Sequence, residues 1–127
     1  MKFKAISILL VSMTLLSAES NCSKAYESCM DTSGGVTSKM RMCNGDEIKQ
    51  QDKILNANYK KAMKVLSKEK KDELKKVQRL WMKYRDLKCG FEGSLTGGSI
   101  DLIMGGACLL DMTAVRAKEL GSISDIL

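Results

Sequence analysis

Two stretches decide the fold, LNANY at residues 55–59 and QRLWMKYRDLKC at residues 78–89. Apolar side chains in and beside these stretches, such as Val77, Trp81 and Tyr84, recur every three or four residues. This is the spacing of one face of an α-helix. Polar residues stand on or beside that face, where a plain amphipathic helix does not need them: Asn56, Gln78, Arg85 and Asp86. The pattern predicts two antiparallel helices with polar groups held between them.

The rest of the chain also favours helix, because it has no proline and few β-branched runs. Capping and turn residues predict four helices, at about residues 23–32, 37–66, 67–89 and 99–120. Asn44 and Gly45 are expected to break or bend the second helix, and Gly121 to end the fourth before a frayed tail. The inward faces are predicted to include Leu74, Val77, Trp81, Tyr84, Ile100, Ile103, Met104, Ala107, Cys108 and Val115. The predicted fold is all-α, a small disulfide-stapled helical bundle with a central antiparallel helix hairpin.

The first twenty residues have the pattern of a signal peptide. Lys2 and Lys4 precede an apolar run that is too short to span a membrane, and Ala18 and Ser20 are small residues suited to cleavage. Removal of residues 1–20 would leave a single domain, residues 21–127, with its net charge reduced from +6 to +5. The expected location is periplasmic or secreted, with no transmembrane segment. A lipid anchor on Cys22 is disfavoured because polar residues precede that cysteine.

Five cysteines in an exported chain predict a disulfide framework. The predicted helices favour local pairs, Cys29 with Cys43 across a Ser-Gly-Gly turn and Cys89 with Cys108 across a loop at residues 90–99. Each bond would stabilise the fold by roughly 3 kcal/mol. Cys22 lies outside these pairs, which leaves pairing between chains open. A zinc site is disfavoured because the chain has no histidine and no CxxC motif.

The order and spacing of these residues resemble the LprI-like lysozyme inhibitor domain family, which consists of small exported helical bacterial proteins with disulfides. The resemblance covers about residues 26–120. It rests on three motifs, C-x8-D-x2-LN-x2-Y from Cys43, L-x3-QR-x-W-x3-RD-x2-C from Leu74, and GGS at 97–99 followed by Cys108, Thr113 and RA-x2-L from Arg116. The resemblance implies the fold predicted above. It also implies inhibition of lysozyme, the activity of the member after which the family is named.

Nine residues of these motifs are predicted to be structural: Asp52, Leu55, Asn56, Tyr59, Gln78, Trp81, Arg85, Asp86 and Arg116. Buried polar groups between helices can fix the register of a bundle. We therefore expect Trp81 in the core and Arg85 buried against a carboxylate such as Asp52. The alternative is that the polar members form a binding patch.

Two further groups of residues are candidates for binding. The lysines at the predicted turn between the second and third helices form either a solvated tip or a surface for anionic lipid or glycan: Lys68, Lys70, Lys71, Lys75 and Lys76. Lysozymes are basic, so the net charge of this chain does not attract them, and an inhibitor needs a local contact element. The glycine-rich loop and its neighbours are the candidate, with a plain connector as the alternative: Glu92, Gly97, Gly98, Ser99 and Asp101.

Catalysis has little support in the sequence. Without histidine there is no Ser-His or Cys-His pair, and the carboxylates are scattered among lysines. We expect no enzyme activity, no cofactor or metal site and, because the chain is exported, no nucleic-acid partner. The leading hypothesis is an exported envelope-binding protein that inhibits lysozyme. The alternative is an envelope structural or interaction module that binds anionic lipid or glycan through the lysine-rich tip.

Overall fold

The computed structural model describes residues 21–127, and this part of the chain forms four α-helices. They are α1 (Lys24–Thr32), α2 (Thr37–Val65), α3 (Lys68–Glu92) and α4 (Ile100–Ile126). The all-α prediction is confirmed. The predicted signal peptide, residues 1–20, lies outside the described residues. None of the four helices is long and apolar enough to cross a membrane.

The helices are arranged around α4, which packs most extensively along α2 and also against α3, while α1 packs on α2. Helices α2 and α4 run in the same direction, because Asn44 contacts Gly106 near their starts and Asn58 contacts Gly121 near their ends. Helix α3 runs the opposite way, so that its end is bonded to the early part of α4. The predicted hairpin of α2 and α3, joined by residues 66–67, is thus completed by a third long helix.

A small apolar core lies where the three long helices meet. Its buried members are Leu55, Ala62, Leu74, Ala117 and Leu120, and partly buried side chains such as Tyr59 and Trp81 pack against it. A core of this size supplies modest stability to a chain of about a hundred residues. Covalent links are therefore expected to matter for the folded state.

Two disulfides link the helices at one end of the bundle. Cys29 of α1 is bonded to Cys43 of α2, and Cys89 of α3 is bonded to Cys108 of α4. These are the two pairs that the helix layout favoured. Because they close segments of similar length, 14 and 19 residues, each should contribute about 3 kcal/mol in the chain-entropy model.

Two helices end later than the sequence indicated, and one lacks the expected break. Helix α3 continues through Gly90 to Glu92, which shortens the following loop to residues 93–99. Helix α4 continues through Gly121 to Ile126, so the prediction of a stop and a frayed tail was wrong. Helix α2 passes through Gly45 as one continuous helix. In each case tertiary packing or helix continuity outweighs the low intrinsic helix propensity of glycine.

Gly121 has a packing role in place of the predicted capping role. The side-chain amide of Asn58 lies over it, and a Cβ atom at this position would be 2.9 Å from Asn58 Nδ2. That nitrogen donates a hydrogen bond of 2.8 Å to the carbonyl oxygen of Ala117. The absence of a side chain at position 121 therefore lets α2 and α4 approach closely.

Several residues predicted to face inward are exposed. Val77 and Tyr84 of α3 are 50% and 59% exposed, and on α4 Ile100, Val115 and Ala107 are also exposed. The reason is that the buried side of α3 carries Leu74, Gln78 and Cys89, while its adjacent apolar face is exposed and meets none of the other described helices. Apolar spacing identified the helix correctly but did not reveal which of two neighbouring faces would be covered.

Candidate functional site: the groove between α2 and α3 and the loop between α3 and α4

An open groove of about 420 Å³ separates α2 from α3. Most of the motif residues that were predicted to join the two helices line it instead: Asp52, Leu55, Asn56, Tyr59, Gln78, Trp81 and Arg85. The predicted close packing of polar groups between α2 and α3 is therefore wrong for most of this set.

Trp81 lies along this groove between two cations. The guanidinium carbon of Arg85 is 5.0 Å from the centroid of the indole ring, and that of Arg116 is 5.9 Å away. Both distances are within the range of cation–π attraction. Trp81 is half-buried, because one part of it packs on the core while another part lines the groove. The expectation of a core tryptophan is thus only partly correct.

One hydrogen bond of the motif does connect two helices. Arg116 Nε donates to Gln78 Oε1 across 3.0 Å, linking α4 to α3, and Arg116 also forms an ion pair with Glu119. The other polar contacts stay within one helix, since Asn56 donates to Asp52 and Arg85 pairs with Asp86. The expected burial of Arg85 against Asp52 is wrong, because the groove separates α2 from α3.

The groove suits binding better than catalysis. Lys75, Arg79 and Arg85 contribute positive charge on the α3 side, against Asp52 on the α2 side. An aromatic surface with guanidinium groups beside it favours planar or anionic groups. Within residues 21–127, no group of His, Cys, Asp and Glu side chains is arranged to hold a metal ion.

The loop at residues 93–99 is held by the carboxylate of Asp101 at the start of α4. That carboxylate accepts hydrogen bonds from the Thr96 backbone N–H at 3.1 Å, from the Thr96 hydroxyl at 2.8 Å and from the Gly97 N–H at 2.8 Å. Burial on its own would raise the pKa of Asp101, but the bonds from Thr96 and Gly97 outweigh it and lower the pKa from the ordinary 3.8. The loop is therefore fixed in one shape.

The predicted partner-binding residues have different places in this loop. Gly97, Gly98 and Ser99 are exposed, and Gly97 has the positive φ of 75° that glycine adopts without strain. Asp101 is buried and faces the loop backbone, so it shapes the loop and offers no carboxylate to a partner. Glu92 pairs with Lys88. The loop also exposes half of the Leu95 side chain, which sequence analysis had not selected.

The lysine-rich tip lies at the other end of α3. Lys68, Lys70, Lys75 and Lys76 are exposed and Lys71 is half-buried. Exposed ion pairs between residues three apart, Lys70–Glu73 and Lys75–Asp72, neutralise part of this charge. Such surface pairs add little to stability, so the tip is displayed to solvent rather than fixed.

A polar cluster between α1 and α2 was missed by the sequence analysis. The carboxylate of Glu47 is buried and accepts bonds from the Ser23 N–H at 2.8 Å, the Ser23 hydroxyl at 2.6 Å and the Gln51 amide at 2.8 Å. Burial would raise the pKa of Glu47, but these bonds lower it from the ordinary 4.5. The four-residue spacing of Cys43, Glu47, Gln51 and Leu55 was a signal that all four lie on one buried face.

These features define a class, a small disulfide-linked helical protein with an open groove and an exposed loop. A family model described as "Lysozyme inhibitor LprI" matches residues 29–120. The chain therefore belongs to the LprI lysozyme inhibitor family, as its motifs predicted.

A relative of almost the same extent exists among curated proteins. The chain is 31% identical over 140 aligned positions to "Uncharacterized protein R02472" of Rhizobium meliloti (strain 1021), and the match covers 95% of this chain and 93% of that protein. No solved structure matches the chain.

Proposed function

We propose that this protein is exported after removal of residues 1–20 and inhibits a lysozyme by inserting the loop at residues 93–99 into the enzyme's cleft. Membership of the LprI lysozyme inhibitor family carries the proposal, since the family description names both the activity and the partner. The disulfides support export, because such bonds form and persist in oxidising compartments.

The shape of the loop supports its role as the inserted element. Lysozyme acts on its glycan substrate between two carboxyl groups, and ligand sites of this kind are concave. A partner must therefore present a protruding element, and the exposed loop at residues 93–99 is a better candidate for it than the groove between α2 and α3. The loop carries no acidic side chain of its own, so it brings no negative charge to those carboxyl groups.

The rigidity of the loop supports the same role. The Cys89–Cys108 bond closes its base, and Asp101 fixes the backbone at Thr96 and Gly97. A segment that is already ordered before binding loses less conformational entropy when it docks. Leu95, which is half-exposed, supplies an apolar anchor within this rigid frame.

The lysine-rich tip is too distant to prevent this contact. The tip lysines, from Lys68 to Lys76, lie about 24 to 36 Å along α3 from its end at Glu92, which is at least about three Debye lengths at physiological salt. Repulsion between the tip and a basic lysozyme is screened over that distance. Affinity then rests on short-range contacts of the loop.

The test is a peptidoglycan-lysis assay in which the mature protein is titrated against a panel of lysozymes. We expect stoichiometric loss of lysis with at least one lysozyme. Leu95→Ser should raise the concentration needed for half-inhibition roughly tenfold or more. Val65→Ser is the matched control, because Val65 is equally exposed but lies beside the tip. Charge reversal at Lys70, Lys71, Lys75 and Lys76 should leave inhibition intact.

Different results separate the parts of this proposal. Full lysis at excess protein across the panel would contradict inhibition altogether. Inhibition that survives Leu95→Ser but not charge reversal of the tip would contradict insertion of the loop. It would favour the alternative module, which acts through its lysine-rich tip on anionic lipid or glycan.

A further inference from the structure

The outer face of α3 carries an apolar stripe that none of the other three helices in residues 21–127 covers. Its members, here called the α3 stripe, are Val77, Leu80, Tyr84, Leu87 and Phe91, and each is between 50% and 68% exposed. Single exposed apolar residues are common on soluble proteins, but large contiguous patches mark interaction sites. Five large side chains on one helix form such a patch.

The spacing of the stripe places its members on one line. Intervals of three, four, three and four residues return to the same side of an α-helix, so the stripe extends about 21 Å along α3. The buried residues Leu74, Gln78 and Cys89 lie on a different side of the same helix. The stripe is therefore separate from the core and from the loop at residues 93–99.

Lysines border the stripe. At about 100° per residue, Lys76 and Lys83 lie on one side of it, and Lys88, which is paired with Glu92, lies on the other. The lysine-rich tip lies at the same end of α3 as Val77, where Glu73 stands in line with the stripe and is paired with Lys70, while Asp86 lies on the opposite side of the helix. An apolar face with basic margins complements an anionic, partly apolar surface.

The same lysines argue against other occupants. A second copy docked through its own α3 stripe would bring lysine margins of like charge together, and a basic lysozyme would be repelled in the same way. An anionic phospholipid surface has the opposite charge, and it can accept both the apolar stripe and the lysines beside it. Apolar and aromatic side chains enter the boundary between headgroups and acyl chains, while lysines reach the phosphates.

We propose that α3 lies flat on an anionic phospholipid surface, with Leu80, Tyr84, Leu87 and Phe91 inserted and Lys76 and Lys83 at the headgroups. The proposal goes beyond lysozyme inhibition and does not depend on it. It also differs from binding through the lysine-rich tip alone, because the apolar stripe supplies the insertion. In this orientation the loop at residues 93–99 stays at the end of the helix.

The test is co-sedimentation of the mature, disulfide-intact protein with two kinds of vesicle. One consists of phosphatidylglycerol and phosphatidylcholine in equal parts, and the other of phosphatidylcholine alone. We expect binding to the first that weakens steeply as salt is raised, since phosphate contacts are screened. The double variant Leu80→Ser and Leu87→Ser should bind at least about tenfold more weakly.

Matched variants identify the surface. Leu102→Ser with Ile126→Ser removes two exposed apolar side chains of α4 and should change binding by less than about twofold. Lys76→Gln with Lys83→Gln should weaken binding more than Lys70→Gln with Lys71→Gln, because only the first pair borders the centre of the stripe.

Four results would overturn the proposal. They are the absence of binding to anionic vesicles, equal binding to both kinds of vesicle, full binding by the stripe variant, and loss of binding only in the Lys70 and Lys71 variant. Analytical ultracentrifugation provides a further check. A dimer that the Leu80→Ser and Leu87→Ser variant abolishes, together with no vesicle binding, would assign the stripe to a second copy and contradict the lipid surface.

Discussion

Helix α2 meets α4 and α3 in different ways. Against α4 the contact residues are small, with Gly106 and Gly121 beneath the amides of Asn44 and Asn58, so the two helices pack closely. Against α3, to which α2 is directly connected, the facing side chains include Tyr59, Trp81 and Arg85, and a groove remains open. The size of the side chains at the contact, more than proximity in sequence, decides which helices pack closely.

This difference separates stability from binding. The interface of α2 with α4, together with Leu74 of α3, contains the buried core. The loop at residues 93–99 and the α3 stripe are exposed and lie outside the core, whereas the groove is lined in part by residues that also belong to the core or pack on it, Leu55, Tyr59 and Trp81. Changes at the interface of α2 with α4, here called the closed interface, should therefore lower the free energy of unfolding. Changes in the groove, the loop at residues 93–99 or the α3 stripe should weaken binding.

The largest expected effect is at the closed interface. Leu120→Ala removes a fully buried side chain and should lower the free energy of unfolding by about 3 kcal/mol, because a cavity replaces it. Leu80→Ala, on the α3 stripe, should change it by about 0.5 kcal/mol or less, since Leu80 is 68% exposed. Urea unfolding of both variants with intact disulfides measures the contrast, and equal losses would contradict it.

Substitutions at two glycines, Gly121 and Gly45, should change stability by an intermediate amount and in opposite directions. Gly121→Ala should destabilise by about 1–2 kcal/mol, because the added Cβ displaces the Asn58 amide from its bond to Ala117. Gly45→Ala should stabilise by about 0.5–1 kcal/mol, because Gly45 lies within α2 with open space around it. Thermal unfolding of both variants measures whether each substitution raises or lowers the stability of the folded state. Destabilisation by both would show that Gly45 also has a packing role.

A smaller effect is expected in the groove. The partner of Arg85 is the exposed Asp86, and its guanidinium lies over Trp81, so Arg85→Gln should cost about 1 kcal/mol or less. The measurement is the urea midpoint at low and high salt. A loss of several kcal/mol would instead indicate a buried charge left without its partner, as the sequence first suggested.

The smallest expected effect is a loss of stability in acid, because acid acts on two carboxylates that lie outside the closed interface. The pKa values of Glu47 and Asp101 are lower in the folded chain than the ordinary 4.5 and 3.8. The folded state then binds fewer protons in acid than the unfolded state. The resulting stability is complete above the ordinary values and is lost as the pH falls through the lowered ones.

The variants Glu47→Gln and Asp101→Asn test this dependence. Each should be less stable than the parent at neutral pH and should show a shallower decline of the unfolding free energy in acid. A decline as steep as that of the parent in the double variant would assign the acid sensitivity to other groups.

Much of the architecture was readable in the sequence because it depends on local spacing. The helical period, the cap at Ser67 and the turn glycines predicted four helices and their order. Once the helices were in order, chain connectivity made Cys29–Cys43 and Cys89–Cys108 the favoured pairs. Family motifs, which are fixed patterns of residues and spacings, identified the family correctly.

Tertiary structure decided which faces of those helices are covered. Spacing could not distinguish the side of α3 that carries Leu74 and Gln78 from the neighbouring side that carries Val77 and Tyr84, because both are apolar at helical intervals. Nor could it show that Gly121 accommodates Asn58, since those two positions meet only after the helices pack. Sequence determines the local period of the chain, whereas burial depends on the neighbours that the complete fold supplies.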